Sequence, residues 1–512
     1  MQLAISGNRV VSISEIEEEA RRLAAWLRRH GVGAGDVVAV LAWNDFPYLV
    51  LPRACALIGA YSLPLNWHLT RAELDFILQD SAAKALIGHS HLLYKAGLSN
   101  RADLLVMSVP TPTEVAAVYP KECDKDASGN WHDWKTTLAA EEPVTGNPLP
   151  GHRGGVFYTS GTTGKPKGVV RAPLSDEQAA RVKGRTLEGF GLLGSTPGAM
   201  TLAPGPLYHS APNAHALYAW GMGHDLVLMP RFDARAALDL IMRHRVSHAH
   251  FVPTMFSRLL ALPEETRHAF NPASLRAICH GAAPCPPEVK RAMIGWWGEV
   301  ICEYYAGTET GVITGIAAGD WLVHPGSVGR ALGETEVQVI GEDGAEVPAG
   351  ATGRLICASD STRNFDYHGR PGAKDVPGWP GYVALGDIGH VDAGGFVYLT
   401  DRSSDVVISG GVNIYPAEIE KELMVLPGVA DCAVVGVPMV ELGEGVIALV
   451  EPIVGQSPSE AALLSGLRER LAGFKLPRKI LFVDRLPRED SGKIRKRVLQ
   501  ETHRDILKEP QK

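Results

Sequence analysis

The stretch YTSGTTGKPKGVV, from Tyr158 to Val170, concentrates hydroxyl groups, glycines and two lysines in one short segment. Glycines permit positive φ angles and let backbone N–H groups converge, and Ser and Thr hydroxyls add donors beside them. The segment departs from the P-loop pattern GxxxxGK[ST], because Pro166 follows Lys165 and no glycine stands five positions before Gly164. Short β-branched and aromatic runs on both sides predict that it joins two strands. We therefore predict a mobile hairpin loop that binds phosphate, with a solvated linker as the alternative.

Length and composition limit the classes of protein that this chain can represent. Its 512 residues, 45% hydrophobic and 21% charged, predict at least two domains. The formal net charge of -7 argues against nucleic acid or an anionic membrane as the main partner. Its seven cysteines form no CxxC pair, which indicates neither a disulfide framework nor a zinc site and favours a cytoplasmic location. We find no signal-peptide pattern and no apolar run of about 18 residues, so we expect a soluble protein.

Hydrophobic periodicity predicts the order of secondary structure in the first part of the chain. Ser12 and Glu15 match a capping box at the start of an amphipathic helix. Strand and helix signals then alternate to about Tyr305, which is typical of a layered α/β sheet. The segment Ser99–Asn147 is polar and poorly periodic, and we expect an irregular excursion on the surface there.

The periodicity changes in the second part of the chain. After Gly329, short alternating strands between glycine-rich turns predict a β-rich subdomain. Beyond Asp401, strand and helix signals start again and predict a compact α+β unit. The predicted fold class is therefore α/β, with a large N-terminal layered domain over residues 1–401 and a small C-terminal α+β domain over residues 402–512.

Several other clusters of unusual composition lie far from the first loop. They are GAAPCPP at Gly281, EYYAGTETG at Glu303, GYVALGDIG at Gly381, LTDRSSD at Leu399 and PREDSGKIRKR at Pro487. Taken in order with the first loop, they resemble the motifs of the adenylate-forming superfamily of acyl-CoA synthetases, adenylation domains and luciferases. Within it, the chain looks most like the carboxylate–CoA ligases. The resemblance implies ATP, Mg²⁺ and coenzyme A as cofactors and a mobile C-terminal domain that turns about Asp401.

The resemblance implies a role for each nucleotide-binding motif. The phosphate loop would consist of Thr159, Ser160, Gly161, Thr162, Thr163, Gly164 and Lys165, with Lys167 as a second basic position. Tyr305 would stack on adenine, and the backbone of Gly281, Ala282 and Ala283 would lie beside it. Asp387 would accept both ribose hydroxyls, with Arg402 as its partner.

The resemblance also implies the catalytic residues. Thr308 would contact the α-phosphate, Glu309 would hold Mg²⁺, and His209 would lie beside the acyl group. Lys493 would act as the adenylation lysine, because a mobile point charge can contact both the carboxylate and the phosphate oxygens. Gly411 would line the path of the coenzyme A arm. The chain departs from the usual YGxTE and Arg-x-Lys patterns, since it has YAGTE before Thr310 and Ser404 after Arg402.

We therefore predict an ATP-dependent carboxylate–CoA ligase that works through an acyl-adenylate and releases pyrophosphate. Small residues flank the expected acyl site and no motif supplies a charge for a second substrate group, which favours a bulky hydrophobic or aromatic acid of the aryl, fatty or steroid side-chain type. The main alternative is a stand-alone enzyme that adenylates amino acids or delivers the acid to an acyl carrier protein. A luciferase, a kinase or ATPase, and a nucleotide-sensing module are further alternatives. A homodimer is left open.

Overall fold

The computed structural model describes residues 2–98, 103–123, 128–148, 154–159, 166–369, 372–402, 405–410, 412–439, 442–489 and 492–507. The helices there are α1 (Ile13–Arg29), α2 (Pro47–Ile58), α3 (Arg71–Asp80), α4 (Ser90–Lys95), α5 (Thr113–Val118), α6 (Trp134–Ala139), α7 (Asp176–Gly189), α8 (Ser210–Gly221), α9 (Ala234–His244), α10 (Pro253–Leu260), α11 (Glu264–Ala269), α12 (Pro287–Trp297), α13 (Ala318–Val323), α14 (Asp360–Arg363), α15 (Pro416–Met424), α16 (Glu460–Arg468) and α17 (Lys496–Thr502), with one 3₁₀ turn (Gly473–Lys475).

The strands of the first half are β1 (Leu3–Ser6), β2 (Arg9–Ser12), β3 (Val37–Leu41), β4 (Tyr61–Pro64), β5 (Ala83–His89), β6 (Leu105–Val109), β7 (His132–Asp133), β8 (Phe157–Thr159), β9 (Lys167–Arg171), β10 (Met200–Ala203), β11 (Asp225–Leu228) and β12 (His248–Phe251). Those of the second half are β13 (Ala277–His280), β14 (Ile301–Gly307), β15 (Gly311–Ala317), β16 (Ser327–Ala331), β17 (Glu336–Ile340), β18 (Gly353–Ala358), β19 (Phe365–Tyr367), β20 (Asp375–Val376), β21 (Trp379–Val391), β22 (Val397–Arg402), β23 (Val407–Ser409), β24 (Val412–Ile414), β25 (Val429–Met439), β26 (Gly443–Pro452) and β27 (Lys479–Phe482).

The N-terminal region begins as the sequence predicts and then departs from it. Ser12 caps α1, and Glu15 completes the capping box. Strands β4, β3, β5, β6 and β7 form a parallel sheet in that order. The expectation of an irregular excursion over 99–147 is wrong, because β6 pairs with β5 and buries Val106 and Met107. An apolar run of only five residues was too short to reveal this internal strand.

A larger sheet carries the centre of the molecule. Its strand order is β17-β18-β21-β22-β16-β15-β14-β13-β12-β10-β11-β1-β2, and β20 pairs with β21. Strands β10 to β14 are parallel, and from β15 onward the neighbours become antiparallel. The predicted β-rich region is therefore present, but it continues the central sheet through β15 and β16 instead of forming a separate one.

The predicted hairpin is confirmed by the pairing of β8 with β9. The two strands are antiparallel, with Thr159 opposite Lys167, and β19 lies on the other side of β9. This arrangement brings the residues that flank the segment 160–165 beside each other, in a separate three-stranded sheet. The segment itself lies outside the described residues.

The last hundred residues form their own sheet with two cores. Strands β24, β23, β26 and β25 are neighbours, and β27 pairs with β26 in parallel. Helices α15 and α16 cover one face of this sheet and α17 packs on the other. The helix predicted from Pro416 and the following strands are confirmed. The domain boundary at Asp401 and Arg402 stays a prediction. In the part of the chain that the structure describes, no helix could span a membrane.

Candidate active site

Three predicted nucleotide-binding side chains lie within contact distance of one another. Asp387 on β21 lies opposite Arg402 on β22, with Arg402 Nε 3.2 Å from Asp387 Oδ1. Tyr305, at the end of β14, donates its hydroxyl to Asp387 Oδ2 at 2.5 Å. Burial raises the pKa of the Tyr305 phenol, and the nearby Asp387 carboxylate raises it further, so the phenol stays a donor. Tyrosine, aspartate and arginine thus form one hydrogen-bonded group at this edge.

The segment after β13 adopts an unusual backbone beside this group. Gly281 packs closely against Tyr304, the residue before Tyr305. A Cβ at position 281 would lie 2.8 Å from Tyr304 Cζ and 2.7 Å from Tyr304 O. Ala282 is exposed and has a φ of 67°, in the left-handed region that non-glycine residues rarely adopt. Strained residues of this kind concentrate at ligand sites. The backbone at Ala282 and Ala283 is thus held in a defined shape next to Tyr305.

Glu309 accepts two hydroxyl hydrogen bonds from elements distant in sequence. Thr159 at the end of β8 and Tyr367 on β19 both donate to Glu309 Oε1 at 3.4 Å. Lys167 lies 5.1 Å from the centre of the Tyr367 ring. The structure therefore brings Thr159, Lys167 and Glu309 together as expected, and it adds Tyr367, which the sequence analysis missed.

Thr308 is held from two sides by residues that the sequence analysis also missed. Its hydroxyl lies 3.0 Å from the hydroxyl of Ser210, the first residue of α8. Arg171, at the end of β9, donates from Nη2 to the Thr308 carbonyl. Burial lowers the pKa of Arg171, while Tyr218 and Glu309 oppose that shift. A cation and two hydroxyls therefore surround the peptide that carries the expected α-phosphate contact.

Lys493 projects from a tight turn in the C-terminal region. The Glu489 amide donates to the Lys493 carbonyl, and the Gly492 amide donates to the Glu489 carbonyl, both at 2.8 Å. Arg488 anchors the turn: its guanidinium binds both carboxylate oxygens of Asp431 at 2.5 and 2.7 Å and the Gly492 carbonyl at 2.9 Å. A bidentate pair of this kind fixes orientation as well as position. The turn is thus rigidly attached to β25.

The electrostatic surroundings place the Lys493 ammonium in the same cleft. Burial lowers its pKa from the usual value, and the nearby Arg402 guanidinium lowers it further. The carboxylates of Glu489, Glu309 and Asp387 act in the opposite direction. A lysine from the C-terminal region is therefore within electrostatic range of both the Glu309 and the Asp387 groups.

Two further contacts join the C-terminal turn to the N-terminal region. His209 directly precedes α8, and its Nε2 lies 3.9 Å from Glu489 Oε2. Gly492 has a φ of 80°, and a Cβ there would lie 2.5 Å from Thr254 Oγ1 on α10. The turn fits closely against α8 and α10, and this fit depends on glycine at position 492.

The donor set suits a Mg²⁺ ion that completes its shell with phosphate and water. Within the described residues, no group of three or more His, Cys, Asp or Glu side chains could hold a metal. Mg²⁺ commonly takes one or two protein carboxylates and shares the substrate phosphates. Glu309, in the cleft with Lys493, fits that use. Among the predicted site residues, Ser160, Gly161, Thr162, Thr163, Gly164, Lys165 and Gly411 lie outside the described residues.

Comparison with known proteins gives one consistent family. The model of AMP-binding enzymes matches residues 2–363, and that of the AMP-binding enzyme C-terminal domain matches residues 418–493. A long-chain-fatty-acid–CoA ligase of Mycobacterium tuberculosis (strain ATCC 25618 / H37Rv) is 32% identical over 96% of this chain and 93% of its own. A fatty acid–[acyl-carrier-protein] ligase of Streptomyces coeruleorubidus is also 32% identical, over 96% and 92%. The solved o-succinylbenzoate CoA synthetase of Bacillus subtilis, in complex with its acyl-adenylate intermediate, is 27% identical with a TM-score of 0.79, over 98% and 95% of the two chains.

Proposed function

Because this chain belongs to the family of AMP-binding enzymes, we propose that it is an ATP-dependent carboxylate–CoA ligase. The observation that carries the proposal is the position of the turn that bears Lys493, where Gly492 packs against Thr254 on α10 and Glu489 lies 3.9 Å from His209. A kinase or a nucleotide sensor has no need of a lysine delivered from a second domain. The CoA and acyl-carrier-protein ligases among its relatives support the same class of reaction.

The first half-reaction joins the acid to AMP. A carboxylate oxygen attacks the α-phosphorus of ATP, the bond from that phosphorus to the bridging oxygen breaks, and pyrophosphate leaves with the bonding electrons. Lys493 and Thr308 are placed to stabilise the charge that develops on the reacting oxygens, and positioning supplies most of the remaining acceleration. Mg²⁺ on Glu309 would neutralise phosphate charge. Asp387 and Arg402 would hold the ribose, and Tyr305 the adenine.

The second half-reaction transfers the acyl group to a thiol. The sulfur of coenzyme A attacks the acyl carbon, the carbon–oxygen bond to AMP breaks, AMP leaves, and the thiol proton passes to solvent. We propose that the C-terminal domain turns about Asp401 between the two steps, because one pocket would not hold Lys493 against the acyl phosphate and also admit a thiol along the same face. Gly411 would then line the path of the coenzyme A arm.

For the substrate we propose a bulky acid with a hydrophobic or aromatic body. The segments that flank the expected acyl site carry small side chains, at Ala282, Ala283, Ala306 and Gly307. The relatives named above act, by their names, on fatty acids and on o-succinylbenzoate, which agrees with this class. We place the enzyme in the cytoplasm, and a homodimer is one assembly that sedimentation would test.

The deciding experiment measures pyrophosphate and AMP in parallel. Purified enzyme is incubated with ATP, Mg²⁺ and a panel of amino, short fatty, aryl and steroid side-chain acids, with coenzyme A, with an acyl carrier protein, or with neither. We expect acid-dependent pyrophosphate release and a thioester only with coenzyme A. Release of ADP would refute the adenylation chemistry. Best turnover on an amino acid, or transfer only to the carrier protein, would establish the alternative function.

A further inference from the structure

A box of aromatic side chains lies between the central sheet and helices α7 and α8. Phe190, just after α7, packs edge-on against Tyr304 at 5.1 Å, His215 at 5.5 Å and His250 at 6.3 Å between ring centres. His215 and His250 are 5.7 Å apart, and His250 Nε2 lies 2.6 Å from the Tyr304 hydroxyl. Tyr218 on α8 lies 6.5 Å from Phe190. Polar ring atoms thus sit inside a mainly apolar layer.

The position of this box connects it to the acyl side of the cleft. His250 lies near the carboxyl end of the parallel strand β12, and ligands of open parallel sheets bind at those ends. Tyr304 directly precedes Tyr305 of the nucleotide group. Helix α8, which carries His215, begins at Ser210, the residue that contacts Thr308. The box therefore lies near the carboxyl end of β12 and one turn of α8 beyond the Thr308 contact.

Helix α8 keeps two partly exposed side chains beyond the Thr308 contact. Ala214 and Tyr218 follow Ser210 at helical spacing and stay partly exposed, although α8 is apolar and packs against the largest core. The neighbouring His215 is buried, with 1% of its surface exposed. Successive turns of α8 therefore carry the Thr308 contact, at Ser210, and the aromatic box, at His215.

Two buried ring nitrogens in the box have no hydrogen-bond partner in another residue that the structure describes: Nε2 of His215, and Nδ1 of His250, which lies against its own backbone. Burial lowers the pKa of His250 to about 4 and that of His215 well below its usual range, so both rings are neutral near pH 7. A neutral imidazole offers one donor and one acceptor. Buried polar atoms without partners are uncommon and call for an explanation, such as a ligand.

We propose that His215 and His250 hydrogen-bond an uncharged polar group, a hydroxyl or a carbonyl, at the far end of the carboxylic acid. The five residues from Ser210 to His215 rise about 7.5 Å along the helix axis, which gives the scale of the distance from the Thr308 contact to the box. A para-substituted cinnamic acid has about this length. The inference rests on the proposed function and narrows its substrate class from hydrophobic acids to acids with a polar tip.

A neighbouring histidine pair shows what a structural histidine looks like in this sheet. His248 lies two residues before His250, on the same face of β12. Its Nδ1 bonds the Ser247 hydroxyl at 2.8 Å, and His224 beside it bonds Thr201 and Ser195, also at 2.8 Å. These rings are satisfied by the protein itself. His215 and His250 differ in that each keeps a nitrogen for a ligand.

The test uses acids matched in size that differ in one polar group. The kcat/KM for pyrophosphate release is measured for para-hydroxycinnamic against para-methylcinnamic acid, and for ω-hydroxyoctanoic against nonanoic acid. Wild type should prefer the hydroxylated member of at least one pair by about tenfold, the effect of one hydrogen bond. His215→Phe and His250→Phe should bring that ratio close to one. His248→Phe, on the same face of the strand, should keep it.

The outcomes separate this inference from the function that it rests on. Equal rates within both pairs in wild type would overturn it, and so would a preference that survives in both His215→Phe and His250→Phe. Preference for para-carboxycinnamic acid would also overturn it, in favour of a charged tip. His215→Asn, which keeps a hydrogen-bonding group, should retain part of the preference, and circular dichroism would check folding. If no acid released pyrophosphate, the proposed function would fail and this inference with it.

Discussion

The contact between Gly492 and Thr254 predicts that a single methyl group slows one half-reaction and not the other. With Gly492→Ala, the new Cβ would lie 2.5 Å from Thr254 Oγ1 and 3.3 Å from its Cγ2. Overpacking of this kind costs about 1–3 kcal/mol, which corresponds to a roughly 5- to 150-fold loss of the arrangement that holds Lys493 in the cleft. The left-handed φ of Gly492 adds about 1–2 kcal/mol, but it does so wherever the C-terminal domain lies. Acyl-adenylate formation should therefore fall by about 10- to 100-fold.

A double-mutant cycle isolates that contact. Thr254→Ala removes the two closest of the three atoms that the new Cβ would meet and leaves Val252 Cγ2 at 3.4 Å, an ordinary van der Waals distance. Alone, it should change the rates by less than about threefold. Combined with Gly492→Ala, it should restore adenylation by about tenfold, as measured by acid-dependent exchange of labelled pyrophosphate into ATP. Thioester formation from pre-made acyl-adenylate should be similar in all four proteins. Equal losses in both half-reactions, or no recovery in the double mutant, would refute the reasoning.

Three further predictions follow from the same geometry. Lys493→Ala should slow adenylation by at least about 100-fold and spare thioester formation. The control Arg495→Ala, two residues further along the chain, should leave the rates of both half-reactions within a few-fold of wild type. Equal losses in both half-reactions of Lys493→Ala would contradict the proposal that the C-terminal domain takes two positions. Asp387→Asn should raise KM for ATP more than it lowers kcat. An amide has one acceptor oxygen, whereas the carboxylate has two to share between the ribose hydroxyls and Arg402. An unchanged KM would exclude the ribose role. Burial raises the pKa of Asp401 to about 6, so the folded state holds this proton more tightly than the unfolded state does. The free energy of unfolding, measured with urea, should therefore fall by about 2–3 kcal/mol between about pH 4 and pH 7. Asp401→Asn should flatten this dependence, and an unaltered profile would exclude Asp401 as its source.

Contiguous motifs made the nucleotide side of the site predictable. The two runs around the glycine-rich loop alternate like strands, and β8 and β9 do pair. Tyr305, Asp387 and Arg402 stand in separate motifs, and sheet pairing brings them together because β21 and β22 are direct neighbours. The motifs did not predict the hydrogen bond from Tyr305 to Asp387, because it joins residues 82 positions apart.

Single polar residues outside those motifs were missed for a different reason. Tyr367 reaches Glu309 only because β19 pairs with β9, which places Tyr367 opposite Val169. Arg171 lies two residues beyond Val169 and so shares its inward face, a signal that alternation along β9 could have given. Arg488 belongs to the last motif, and its pair with Asp431 joins it to a strand 57 residues earlier. Long-range pairing carries this information, and local sequence patterns do not.

The acyl side of the cleft depends on register as well as on pairing. In β12, His248 and His250 face α8, while Ala249 and Phe251 face the core on the other side of the sheet. A shift of one residue would exchange the two sets and put a phenyl ring where the unpartnered His250 nitrogen now lies. The sequence HAHF alternates polar with apolar residues and so predicts two different faces, but it does not say which face meets the cleft. That choice follows from β10 and β13, which pair with β12 so that His248 lies beside Thr201 and His250 beside Cys279. The polar contacts that we propose for the acid therefore depend on strand register, whereas the residues that we propose for its activation lie in local motifs.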